Sequence, residues 1–120
     1  MKRFEIWEAN LPDVAGSHVQ HGRRHLCVIV SNDAANAHSP VVTIVLLSSK
    51  LRKKRLPTHV PVHAPALTQE SFAVCEQILT VDKSNLIAAI DCVRDSSERA
   101  QLERALAIQL GIAAVQKEVL

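Results

Sequence analysis

The sequence predicts a mainly β fold of the α+β class: a small, strongly bent antiparallel sheet that curls into a partial barrel, closed by one C-terminal helix. Three observations predict it. Short apolar runs rich in valine and isoleucine fill the first two thirds of the chain, and turn-forming residues separate them. After residue 94 the apolar period changes from that of strands to that of a helix. The 120 residues are expected to form a single domain, residues 1–120.

Six segments have the length and pattern of β-strands. They are residues 3–9, 26–31, 41–48, 58–62, 72–81 and 88–93. Residues 32–40 are rich in turn formers and are expected to be a loop. Pro61 predicts that its strand lies at an edge of the sheet, because proline cannot donate a ladder hydrogen bond.

The last predicted element is an amphipathic helix of four or five turns. It begins with the capping-box pattern Asp95-Ser96-Ser97-Glu98. Its apolar face recurs at helical spacing: Leu102, Ala105, Leu106, Leu110 and Ala113. Its charged residues are expected on the opposite face: Glu98, Arg99, Glu103 and Arg104.

Composition excludes several classes of protein. The apolar runs are too short to span a bilayer, and Glu5 stands where a signal peptide would be apolar, so we expect a cytoplasmic protein with no membrane partner. Cys27, Cys75 and Cys92 are far apart and form no Cys-x-x-Cys pair, which favours buried free thiols over disulfides or a zinc ribbon. With only three aromatic residues, an open base-stacking surface is not expected.

Two polar stretches stand out. In "GSHVQHGRRHLCVIVSND", residues 16–33, three histidines and two arginines lead directly into an apolar strand. The second stretch is cationic and consists of Lys50, Arg52, Lys53, Lys54 and Arg55. Such a cluster attracts phosphates without reading bases, although a solvated surface loop would have the same composition.

Several segments resemble the MazF/PemK family of toxin–antitoxin ribonucleases, in order and along nearly the whole chain. They are "MKRFEIWEANLP", "GSHVQHGRR", "VSNDAANAHSPVVTIV", "SSKLRKKRLPTHV", "CEQILTVDKSNL" and "ALAIQLGI". The resemblance implies a homodimer of SH3-like barrels of the CcdB/MazF type that cuts single-stranded RNA without a metal or other cofactor. It also implies a cognate MazE/PemI-like antitoxin whose flexible tail occupies the RNA groove.

The resemblance also places the catalytic residues. The family's arginine falls on Arg24, whose guanidinium can hold two phosphate oxygens. A second position, threonine in many relatives, falls on Ser48, which keeps the hydroxyl but lacks the methyl group that restrains the rotamer. The family usually has proline after the arginine, whereas here His25 follows Arg24. Counted back from Asp33, the usual arginine register falls on His25, so either a bulge absorbs one residue or the site is reorganised.

Histidine can exchange protons near neutral pH, whereas arginine stays charged. We therefore hypothesise that His25, or else His21, is an auxiliary acid/base; solvated loop histidines remain the alternative. No metal site is expected from His18, His21 and His25, because their spacing fits no helix or strand face.

Further RNA contacts are expected along the same groove. The candidates are Ser17, Gln20, Lys50, Arg52, Lys53, Lys54 and Gln77. The Gln77 amide can read a base edge, and Glu76 beside it is expected to be a structural hydrogen-bond acceptor.

Phe4 departs from the family, which usually has glycine after its Lys-Arg start. A bulky residue does not easily hold a positive φ angle. We therefore expect either a different first turn or a Phe4 side chain that reaches a dimer or antitoxin surface.

Three functions are compatible with these patterns. The first is a sequence-specific endoribonuclease toxin that uses the ribose 2′-hydroxyl as nucleophile and leaves 2′,3′-cyclic phosphate and 5′-hydroxyl ends. The second is a non-catalytic relative that binds antitoxin or RNA. The third is a CcdB-like gyrase inhibitor, which Arg24 and Ser48 disfavour because such an inhibitor needs no phosphate-cleaving pair.

Overall fold

A computed structural model describes residues 1–11, 24–50 and 56–112. In these residues the elements follow in chain order: β1 (Glu5–Asn10), β2 (Arg24–Ile29), α1 (Asp33–His38), β3 (Val41–Ser48), β4 (His59–Val62), β5 (Ser71–Asp82), a 3₁₀ turn (Lys83–Asn85), β6 (Leu86–Cys92) and α2 (Ser96–Leu110). The six expected strands and the C-terminal helix are confirmed, with strand ends that differ by at most two residues. No helix in these parts of the chain is long and apolar enough to cross a membrane.

The strands form one antiparallel sheet in the order β4-β5-β3-β2-β1-β6. Strand β4 is at the edge, as Pro61 predicts. Strands β1 and β4 are far apart in this order, yet Ile6 and Val60 belong to the same apolar cluster, so the sheet is strongly bent. Helix α2 closes this face with Leu102, Ala105 and Leu106.

A second cluster covers the other face of the central strands. Its fully buried members include Cys27, Ile29, Ile44 and Leu46. Strands β2 and β3 are therefore apolar on both faces, which explains why the sequence shows continuous apolar runs there rather than alternation. The rigid centre of the sheet fixes the position of the strand ends, where the polar residues begin.

Two expectations for α2 are wrong. Asp95 caps the helix, since its carboxylate accepts from the Glu98 amide at 3.0 Å. However, Glu98 is buried instead of facing outward, and Leu110 is 62% exposed instead of buried. Leu110 is the last residue of the helix, and Gly111 caps it at φ 69°. The apolar spacing in the sequence therefore extends beyond the helical turns that contact the sheet. Ala113 lies outside the described residues.

The expectation of a loop at residues 32–40 is also wrong, because α1 forms there. The Asn32 side chain accepts from the Ala35 amide at 2.8 Å and starts the helix. Asn36 is buried and donates to the Ser31 carbonyl at 2.8 Å. Turn formers thus serve as helix caps and anchors here.

Phe4 does hold a positive φ, 73°, and its side chain is buried in the core, so neither alternative given for it is correct. Its amide donates to the Ile29 carbonyl at 2.7 Å, and its carbonyl accepts from the Val93 amide at 2.8 Å. These bonds and the burial of the ring hold the strained backbone in place.

Candidate active site

The register of β2 and β3 relates the candidate catalytic residues to one another. Cys27 pairs with Leu46 and Val28 with Val45. Along β2, His25 lies two residues before Cys27, and along β3, Ser48 lies two residues after Leu46, whereas Arg24 is offset from His25 by one residue. His25 and Ser48 therefore belong to the same face of the sheet, whereas Arg24 belongs to the other.

The ends of these strands border a cleft of about 590 Å³. One wall carries Arg24, His25, Ser48 and Lys50. The other wall is formed by the segment between β4 and β5, with Leu67, Thr68 and Gln69, and by Ser71. Because the cleft lies at the strand ends, it receives side chains from both faces of the sheet. The structure thus brings Arg24, His25, Ser48 and Lys50 together.

Arg24 is an exposed candidate for phosphate binding. Its guanidinium contacts the Glu8 carboxylate at 3.0 Å, and 70% of its side chain is exposed. An ion pair this exposed contributes little to stability, about 0–1 kcal/mol. The guanidinium can therefore exchange Glu8 for a phosphate at small cost.

His25 and Ser48 both have hydrogen-bonding capacity to spare. The Nε2 atom of His25 is buried and has no hydrogen-bond partner in the described residues, which is unusual for a buried polar atom. The buried Ser48 hydroxyl accepts from the Lys50 amide at 3.2 Å, which leaves its proton available for donation.

Carboxylates on two other elements hold the segment between β4 and β5. Glu98 on α2 accepts from the His63 amide at 3.1 Å and contacts the His63 ring at 2.5 Å. Asp91 on β6 accepts from the Ala66 amide at 3.0 Å. Sequence reasoning missed this wall of the cleft, because no local pattern in residues 63–70 indicates which distant carboxylates bind it.

Hydrogen bonds and nearby charges shift the pKa values of two groups in these contacts, Asp91 and His63. Backbone hydrogen bonds from Ala66 and Cys92, with help from Arg94, hold the pKa of the Asp91 carboxyl below its ordinary value. The hydrogen bond and charge of Glu98 raise the pKa of His63, and Glu70 and Asp95 add to this. The hydrogen bond from the Ala66 amide to Asp91 is therefore charge-assisted at neutral pH.

Gln77 lies away from the cleft walls. It sits in a bulge of β5, where Val45 pairs with Ile78 but Leu46 pairs with Val74. Beside it, Glu76 accepts from Thr58 at 2.7 Å and from His59 at 2.8 Å, which confirms its structural role. Burial disfavours the charged carboxylate, but these hydrogen bonds outweigh it and lower the pKa of Glu76.

Several candidates lie outside the described residues: Ser17, His18, Gln20, His21, Arg52, Lys53, Lys54 and Arg55. Of the cationic stretch, Lys50 is described and lines the cleft.

The buried thiols are poor nucleophiles. Burial raises the pKa of Cys27 to about 12, and burial with the nearby Glu76 charge does the same for Cys75. Both are free thiols, as expected, whereas Cys92 is only half-buried. Within the described residues, no group of three or more His, Cys, Asp or Glu side chains could hold a metal ion.

Comparisons with known proteins agree with this architecture. Residues 2–110 match the family described as PemK-like, MazF-like toxin of type II toxin–antitoxin systems. The chain is 31% identical to a protein named Endoribonuclease MazF from Staphylococcus saprophyticus, over 93% of this chain and 92% of the relative.

Solved structures show the same fold. A mycobacterial endoribonuclease in complex with its cognate antitoxin superposes with a TM-score of 0.71 at 22% identity, over 93% of this chain and 96% of the other. MazF from Deinococcus radiodurans gives a TM-score of 0.75 at 20% identity, over 93% and 97%. From its sequence and its fold, this chain belongs to the PemK-like, MazF-like toxin family of type II toxin–antitoxin systems.

Proposed function

We propose that this protein is a sequence-specific, metal-independent endoribonuclease toxin that cuts single-stranded RNA. The observation that carries the proposal is the cleft where Arg24, His25, Ser48 and Lys50 meet. A permanently charged cation, an imidazole ring that can exchange protons and a hydroxyl are groups that phosphate transesterification can use. Family membership and a relative named as an endoribonuclease support the same function.

The proposed reaction begins with attack of the ribose 2′-hydroxyl on the neighbouring phosphorus. The 2′ oxygen loses its proton, and the bond from phosphorus to the 5′ oxygen breaks. The products are a 2′,3′-cyclic phosphate and a 5′-hydroxyl end. DNA lacks the 2′-hydroxyl and cannot react in this way.

Each residue has a distinct role in this proposal. Arg24 leaves Glu8 and binds the phosphate, where it stabilises the charge that develops in the transition state. Ser48 donates its hydroxyl proton to a phosphate oxygen. The Nε2 of His25, which has no hydrogen-bond partner among the described residues, exchanges a proton with the 2′-hydroxyl or the leaving oxygen.

The proposal includes two protein partners. One is a second copy of the chain, in a homodimer. The other is a cognate MazE/PemI-like antitoxin whose acidic tail competes with RNA for the cationic wall. Structures of two relatives bound to antitoxin support the second partner.

Cleavage of a long unstructured RNA in EDTA, followed by mapping of the fragment ends, tests the proposal. We expect discrete cuts with cyclic-phosphate and 5′-hydroxyl ends. Arg24→Ala should reduce the rate by about 10²–10³-fold, as loss of one transition-state donor does elsewhere. His25→Ala should lower the rate by about 10²-fold or more and change its pH dependence.

Arg104→Ala is the matched control, because Arg104 is an exposed arginine on α2 that does not line the cleft. It should cleave like the wild type. A His25→Ala protein with an unchanged pH profile would remove the histidine from the mechanism. If several RNAs stay intact while the protein still binds antitoxin, the non-catalytic function is correct instead.

A further inference from the structure

The two walls of the cleft differ in charge. The wall from β2 and β3 carries the cations Arg24 and Lys50. The opposite wall presents the uncharged polar side chains of Thr68, Gln69 and Ser71. The acidic residue next along the chain, Glu70, does not line this cleft and borders a neighbouring cavity of about 530 Å³.

This asymmetry orients a single-stranded nucleic acid. Phosphates are drawn to the cationic wall, and contacts with phosphates carry no sequence information. A base attached to a ribose held there points away from the phosphate and toward the uncharged wall. Selectivity for a base therefore requires a hydrogen-bonding side chain on that wall.

The segment between β4 and β5 is held firmly enough to discriminate among bases. Its first half is bound by Glu98 and Asp91, at His63 and Ala66. Its second half is fixed by the Ser71 hydroxyl, which donates to the Gln69 carbonyl at 3.0 Å. A recognition group on a preorganised segment loses little entropy when it binds.

We propose that the Gln69 side chain reads a base of the bound RNA and thereby helps to set the cleavage sequence. This inference rests on the proposed ribonuclease function and deepens it. Gln69 is exposed in the cleft, and its amide makes no hydrogen bond within the described parts of the chain. The amide offers both donors and an acceptor, so it can bind a base edge through two hydrogen bonds.

Short RNAs that contain the mapped cut site, with each flanking position changed in turn to the other bases, test this inference. Relative cleavage rates are measured for the wild type, Gln69→Ala and Gln69→Glu. At one position, Gln69→Ala should lose discrimination by about tenfold or more, which is typical of one lost bidentate contact. Gln69→Glu keeps the shape but replaces donors by acceptors, so it should favour a different base at that same position.

Glu70→Gln is the matched control on the adjacent residue and should keep the wild-type preferences. Equal rate losses for all RNAs in Gln69→Ala would indicate a purely structural role and overturn the inference, as would unchanged preferences in both Gln69 variants. An altered preference in Glu70→Gln at that same position would overturn the assignment to Gln69. If the wild type cleaves no RNA, the proposed function and this inference both fail; if it cleaves and Gln69 has no effect, only the inference fails.

Discussion

At the scale of single residues, Phe4 shows how packing overrides local preference. Its φ of 73° disfavours any residue with a β-carbon, yet the ring is buried. The guanidinium groups of Arg3 and Arg99 lie 4.7 and 5.0 Å from the centre of the ring. Such contacts are favourable, with the cations on the faces of the aromatic ring. This stabilisation of Phe4 comes from Arg3 and Arg99 together, and Arg99 is too distant in sequence for local rules to include it.

The free energy of unfolding of Phe4 variants tests this explanation. Phe4→Ala should lower it by about 3–5 kcal/mol through loss of the buried ring. Phe4→Gly loses the same ring but accommodates the positive φ, so it should be more stable than Phe4→Ala by about 1 kcal/mol. Denaturant unfolding measures both. An alanine variant more stable than the glycine variant would contradict the strain at this position.

The sequence predicts which residues belong to the candidate site better than it predicts how they are arranged. The family resemblance and the sequence around it identify three candidates, and Arg24, His25 and Ser48 line one cleft. The question of register between Arg24 and His25 could not be answered from sequence, because it depends on how β2 pairs with β3. By the alternation of side chains along β2 and β3, His25, not Arg24, shares a sheet face with Ser48.

At the scale of elements, α2 does more than close the barrel. The sequence pattern predicts Glu98 on the solvent side, whereas Glu98 is buried and binds His63, which is 35 residues away. Helical periodicity identifies the apolar stripe, and Glu98 borders it in the first turn. Periodicity does not show that a loop will cover that turn, so this anchor could not be predicted.

The contact between His63 and Glu98 should make stability depend on pH. Glu98 raises the pKa of His63 above 6.5, and the nearby acidic groups Glu70 and Asp95 act in the same direction. The folded state therefore binds this proton more tightly than the unfolded state. The stabilisation is complete below pH 6.5 and is lost as pH rises through the higher folded pKa.

Urea unfolding midpoints, measured between pH 5.5 and 8.5 at intervals of about half a pH unit, give the size of this loss of stability. The urea midpoint of the wild type should fall across the upper part of this pH range. In Glu98→Gln and His63→Gln, this part of the pH dependence should be absent. The same pH dependence in both variants would show that another group causes it.

At the scale of the whole molecule, the bent sheet creates the cleft by bringing together segments distant in sequence. Strand lengths and order along the chain follow from residue patterns, and all six strands were predicted. The meeting of the β2 and β3 ends with residues 66–69 follows from the closure of the sheet, which depends on long-range pairing. The second wall was therefore absent from the sequence prediction.

The net charge of only +2 means that RNA affinity should depend on the local cations of the cleft. Arg24 and Lys50 are the cations that line the cleft in the described parts of the chain, and their two phosphate contacts predict that affinity falls by at least about sevenfold between 50 and 200 mM salt, at a slope of about 0.7 per contact. Fluorescence anisotropy with a 2′-O-methyl RNA, which cannot be cleaved, measures this slope.

An acidic antitoxin peptide should displace this RNA, and simultaneous binding of both would contradict a shared cleft.

The most direct test of the central claim is a single 2′-deoxy substitution at the mapped cleavage site of an RNA substrate. The same substitution one nucleotide away is the control. If the 2′-hydroxyl is the nucleophile, the RNA with deoxyribose on the 5′ side of the cut bond should remain uncut there, while the control RNA is cleaved at the wild-type rate. Cleavage of both substrates at equal rates would show that the nucleophile is another group, and the proposed mechanism would be wrong.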